Sequence, residues 1–140
     1  MNLEALQNRA ADGDADAQCY LGHLYEEGQG VSKDLQFAQS LYRRAADQGN
    51  AAAQWRLGCI FQAGIGVSED LEAAVVWFRM AADQGWPDAY VPLGRAYQTG
   101  RGIAVDLEQA ASWFSKARDA GDGRGAYFLL VLRDEQANAK

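Results

Sequence analysis

The 140-residue chain is short of the residues that usually announce chemistry: two cysteines, Cys19 and Cys59, two prolines and a single histidine, His23. A chain of this length can bury a core without staples, so the two thiols are expected to be free and mostly buried rather than a disulfide, which favours a reducing compartment. No apolar run approaches the roughly 20 residues needed to cross a bilayer, and membrane insertion is not expected. Positive charge is scarce: 13 Lys and Arg stand against 19 Asp and Glu, a net charge of −6. Such a chain repels phosphate backbones and anionic lipid, which excludes nucleic acid as an expected partner. The first residues have no basic region followed by an apolar one, so no secretion signal is visible. A cytoplasmic location is expected, or a periplasmic one if a signal peptide has been removed.

What the chain has in quantity is glycine, and the glycines are periodic. Gly22, Gly58 and Gly94 are 36 residues apart, as are Gly28, Gly64 and Gly100, then Gly30, Gly66 and Gly102, and finally Gly13, Gly49, Gly85 and Gly121. Asp34, Asp70 and Asp106 keep the same step, and so do the aromatics Tyr25, Phe61 and Tyr97. The stretch EEGQGVSKD, with Gly28, Gly30, Ser32 and Lys33, taken alone suggests a phosphate-cradling loop. Its successors QAGIGVSED and QTGRGIAVD lose the lysine and then the serine. A loop that recurs three times while shedding its charged members is scaffolding, and no nucleotide or other cofactor is expected.

The loops reverse the chain between two helices. Glycine supplies the left-handed conformation at the end of the first helix, near Glu27, Ala63 or Thr99, and the aspartates accept bonds from the free N–H groups opening the second. Val31, Val67 and Ile103 are expected to tuck into the core. Ala17, Leu21, Leu24 and Tyr25 form one apolar stripe at helical spacing, and Leu35, Ala38, Leu41, Tyr42, Ala45 and Ala46 form another. Gly22, Gly58 and Gly94 fall inside the first helices, where a neighbouring helix is expected to approach closely. Tyr25, Tyr42, Phe61, Trp77, Phe78, Tyr97, Trp113 and Phe114 read as core. Pro87 suits a first helical turn, and Pro92 is expected to bend that helix.

The unit AQCYLGHLYEEGQGVSKDLQFAQSLYRRAADQGN and its two successors resemble the Sel-one-like repeat, a relative of the tetratricopeptide repeat. The resemblance implies an all-α, right-handed α-solenoid of antiparallel helix pairs. The repeats are read as residues 15–50, 51–86 and 87–122, flanked by a partial repeat forming an N-terminal cap over 1–14 and a terminal capping helix over 123–140. It also implies adaptor and scaffold roles in bacteria: signalling, envelope assembly, host interaction or toxin neutralisation. Cysteine-rich relatives described as binding or hydrolysing β-lactams pair cysteines in every repeat, which this chain does not.

The expected function is therefore a non-enzymatic scaffold binding another protein or peptide, with a monomer as the expected state. By analogy with tetratricopeptide arrays, the concave face is assigned Cys19, His23, Trp55, Cys59, Val91, Arg95, Tyr127 and Val131, with Glu26, Gln62 and Gln98 extending it toward the loops. Trp55 is the expected anchor, and Arg95 a clamp for a carboxylate. A rival reading is a small-molecule hydrolase or β-lactam-binding protein using Cys19 and His23, but no orienting group or oxyanion site accompanies them. A metal held by Cys19, His23 and Cys59 is not expected either, because zinc ligands normally come in closely spaced pairs. An exposed apolar patch of Val75, Val76, Met80 and Trp86 is expected as a second contact surface.

Overall fold

A computed structural model of the protein describes residues 1–139. Among them there are eight α-helices and no strand: α1 Leu3–Ala11, α2 Ala15–Glu27, α3 Leu35–Asp47, α4 Ala51–Ala63, α5 Leu71–Asp83, α6 Tyr90–Thr99, α7 Leu107–Asp119 and α8 Gly123–Asn138. They form two compact units, Met1–Asp70 and Leu71–Lys140. In the first unit α2 packs against α1 and α3, and α3 against α4. In the second α6 packs against α5 and α7, and α7 against α8.

The helix boundaries follow the expected chemistry. Each of α2, α4 and α6 stops at a left-handed glycine; Gly28 has φ +70° and its N–H returns to the Leu24 carbonyl. Asp34 Oδ1 accepts from the Phe37 N–H at 3.0 Å, and Asp106 Oδ1 from the Gln109 N–H at 3.1 Å. The same bond then closes every loop: the N–H groups of Asp34, Asp70 and Asp106 donate to the carbonyls of Tyr25, Phe61 and Tyr97 at 2.9 to 3.0 Å. Val31, Val67 and Ile103 end half-buried rather than in the core. The first helix of the third repeat departs from its equivalents. Asp14 and Asn50 cap α2 and α4, but Trp86 stands in their place and offers no acceptor. Pro92 further lacks the N–H that would reach back to residue 88. The opening turn is accordingly a 3-10 turn over Pro87–Ala89, and α6 begins only at Tyr90.

Packing is tight at the glycines inside the first helices. A methyl group on Gly22 would lie 3.0 Å from the Tyr42 ring, and one on Gly94 would lie 2.6 Å from the Phe114 ring. Buried Gln18 and Gln54 add polar ties that the repeat pattern did not flag. Gln18 Nε2 donates to the Ala10 carbonyl at 3.0 Å, and Gln54 Nε2 to the equivalent Ala46 carbonyl at 3.2 Å. Each fastens a first helix to the end of the helix before it. In the third repeat Tyr90 replaces the glutamine and stacks on Trp113, ring centroids 5.8 Å apart.

Ala in place of Gly within a helix normally gains up to about 1 kcal/mol. Gly94→Ala should reverse that sign and destabilise by about 1–3 kcal/mol, because the Phe114 ring is fully buried and stacked on Phe128 at 5.1 Å and cannot retreat. Gly22→Ala, with the looser approach, should cost less. Urea unfolding of both variants checks the order.

Candidate functional site

The residues expected on one face fall into two sets, one on each unit. On the first unit Cys19 and His23 from α2 and Trp55 from α4 come together around a pocket of about 340 Å³. Cys19 and Trp55 are half-buried and His23 is exposed. The face runs a turn further than the sequence suggested: Asp16 and Tyr20 on α2, Ala52 on α4 and the Asn50 cap also line the pocket. The missed residues were legible in principle, since Asp16 and Tyr20 share a helix face with Cys19 and His23 at three- and four-residue spacing. Asn50 Nδ2 donates to Asp16 Oδ1 at 2.9 Å and bridges the pocket rim. Cys59 is half-buried and Gln62 exposed on α4, and neither lines the pocket.

Glu26 is not on the open face. It is buried, its Oε2 accepting from the Tyr42 hydroxyl at 2.7 Å and from Arg56 Nε at 2.9 Å, while Arg56 Nη2 donates to Oε1. Burial keeps the Tyr42 phenol protonated by pushing its pKa upward, so it remains the donor. All three members change at equivalent positions in the next repeat: Gln62 replaces Glu26, Phe78 replaces Tyr42 and Pro92 replaces Arg56. The network joins two consecutive repeats, Glu26 and Tyr42 lying in residues 15–50 and Arg56 in residues 51–86. It forms the polar floor beneath the pocket, because Tyr42 and Arg56 also line it.

Burial, and second the charge of Asp16, push the Cys19 thiol up to about 11. Among the described residues no group of three or more His, Cys, Asp or Glu side chains is placed to hold a metal ion.

On the second unit Val91 is also a correction: it is buried, because α6 turns it inward with Leu93, Gly94 and Tyr97. Arg95 lies on the surface with its guanidinium 4.6 Å over the Phe128 ring, and Tyr127 is exposed at 61%. Gln98 lies within 3.5 Å of both Arg95 and Glu135, and Val131 is half-buried. Of the expected apolar patch, Val76 and Met80 are exposed, at 58% and 40%. Val75 is not: it is buried because it shares a stripe with Phe78 and Ala82, three and seven residues on. Trp86 is half-buried.

Three consecutive matches to the family model "Sel1 repeat" cover residues 15–50, 51–86 and 87–122. The chain belongs to the Sel1 repeat family. A Sel1 repeat protein from Oxalobacter formigenes is 35% identical with a TM-score of 0.86, over 91% of this chain and 96% of that one. The structure of c5321, a protective antigen of uropathogenic Escherichia coli with the same repeat fold, is 40% identical with a TM-score of 0.86. That match takes in 89% of this chain and 27% of the other, so this chain spans about a quarter of c5321. Cysteine rich protein B of Helicobacter pylori, at 22% identity and a TM-score of 0.68 over 89% of this chain and 95% of that one, shares the fold. No curated protein matches the chain. The fold class is thus an all-α solenoid of helix pairs. Sel1 repeat proteins are generally protein-interaction scaffolds and not typically enzymes. No helix of the described residues is long and apolar enough to cross a membrane.

Two substitutions separate the two roles of Glu26. Tyr42→Phe should cost about 1 kcal/mol, one hydrogen bond with the ring retained. Glu26→Gln should cost more, about 1–3 kcal/mol after allowing for the partial exposure of Arg56, because that guanidinium loses its counter-charge. Denaturant titration of the two variants checks the order.

Proposed function

We propose that this Sel1 repeat protein is a non-enzymatic scaffold that captures a protein or peptide. On the first unit the working surface is the pocket walled by Cys19, His23 and Trp55. The observation that carries this is the half-buried Trp55 indole lining the pocket, standing where the equivalent residues are Cys19 and Val91. Packing alone does not require an indole there. Rigid aromatics beside apolar pockets are typical anchors for partners. On the second unit Arg95 and Tyr127 form a contact surface, in which Arg95 serves as a clamp for a carboxylate, flanked by Gln98. Val76 and Met80 on α5 make a further apolar contact. Of the bacterial settings that the repeat implies, envelope or host-contact roles draw support from the likeness to a protective antigen. Signalling and toxin neutralisation are the other settings for such an adaptor.

The state of Cys19 argues for capture rather than catalysis. A nucleophilic cysteine works as a thiolate, usually with a pKa below about 8.5, whereas this thiol is held near 11. In a Cys59→Ser background, the rate of Cys19 alkylation should rise with pH up to about 11. Asp16→Asn should move that profile to lower pH, because it removes a negative charge that opposes the thiolate. A profile that levels off below about 8.5 would return the hydrolase reading.

Peptides selected by display against the intact protein give the direct test. Trp55→Ala should weaken them at least tenfold, about 1.4 kcal/mol, with the thermal melt showing the variant folded. Equal affinity for parent and folded variant would remove the pocket as the working surface.

A further inference from the structure

The same pocket carries enough charge information to name what it takes, given the scaffold reading above. We infer that it accepts one apolar side chain of a partner segment whose neighbouring residues are Lys or Arg. The walls that meet an incoming side chain are the Trp55 indole, the Tyr42 ring and Ala52, with the uncharged Cys19 thiol beside them. A volume of about 340 Å³ lies at the small end of ligand sites, which run from about 300 to 1,000 Å³. That suits an anchor side chain better than a large cofactor.

Two groups in the lining carry full charges, Arg56 and Asp16, and their situations differ. The Arg56 guanidinium donates through Nε and Nη2 to the two oxygens of buried Glu26, so its charge is cancelled from beneath. Asp16 is exposed on the rim, and among the described residues its carboxylate bonds to the neutral Asn50 amide through one oxygen. The field at the mouth is therefore negative. The surrounding unit reinforces it: residues 1–70 carry ten Asp and Glu against five Lys and Arg, while residues 71–140 carry nine against eight. Of those five cations, Arg9, Arg43 and Arg56 are already in ion pairs. Nearly all of the net charge of the chain thus sits on the unit that holds the pocket. A cationic segment is drawn to such a surface at rates that fall with added salt, and an acidic one is rejected.

The test uses the intact protein and three dye-labelled short peptides: a central Leu flanked by Lys, the same with Glu flanks, and the Lys-flanked peptide with Ala at the centre. The Leu and Lys peptide should bind at least tenfold more tightly than either of the others at low salt, and lose affinity as salt rises. Asp16→Lys changes an exposed rim residue, so the fold is not at stake. It should narrow the preference for Lys over Glu flanks severalfold. Equal binding of Lys- and Glu-flanked peptides would overturn the charge assignment, and equal binding of Leu- and Ala-centred peptides would overturn the anchor. If display yields tight binders sensitive to Trp55→Ala that lack this pattern, the inference fails while the scaffold reading stands. If no peptide of either origin binds, both fail.

Discussion

The repeat depends on how closely the two helices of a pair can approach. At Gly22 and Gly94 the absent side chain lets an aromatic ring of the following helix lie almost on the backbone, with room for Gly94 to gain nothing larger than hydrogen. That closeness leaves the pair little freedom to slide. It also sets the span that the connecting loop must cover, and the loop meets it identically each time, through a left-handed glycine and a bond from the capping aspartate N–H to the aromatic carbonyl nine residues back. A helix pair held at both its middle and its end can be copied along a chain without redesign, which is what a solenoid of short repeats requires.

Against that uniform frame, the deviations carry the individuality. Between the first two repeats Tyr42 and Arg56 both donate to the buried Glu26 carboxylate, a set of polar groups that satisfy one another. A half-satisfied set would be costly, which explains why the next repeat changes all three positions together. The result is a pocket floor whose cation is silent, beneath walls of aromatic and small side chains. Local electrostatics at the rim then fall to Asp16 and to the acidic excess of residues 1–70.

Much of the architecture was legible because it is periodic. Helix ends at Glu27, Ala63 and Thr99, the caps at Asp34 and Asp106, and the internal glycines all follow from short-range backbone chemistry that a linear pattern records. The site was legible only in part. Spacing puts Cys19, His23 and Trp55 on one face, whereas Asp16 and Tyr20 join it one turn away and Asn50 joins it from the cap of α4, which helix spacing does not reach. Glu26, Val75 and Val91 were assigned to surfaces and proved buried. Each has neighbours on its own helix that leave its orientation open within about one residue's rotation, roughly 100°, and only the packing partner selects the inward side.

The sequence by itself determined the period, the helix pairs, the turn geometry and the acidic balance, because each depends on residues close along the chain or on simple counts. Tertiary structure alone decided that Gln18 and Gln54 tie successive helices, and that the Arg56 charge is cancelled from below by a residue 30 positions earlier. It also decided that Trp55 faces a cavity. Those outcomes depend on which side chains meet across helices, and on how much water each is left, quantities that no spacing along one helix contains.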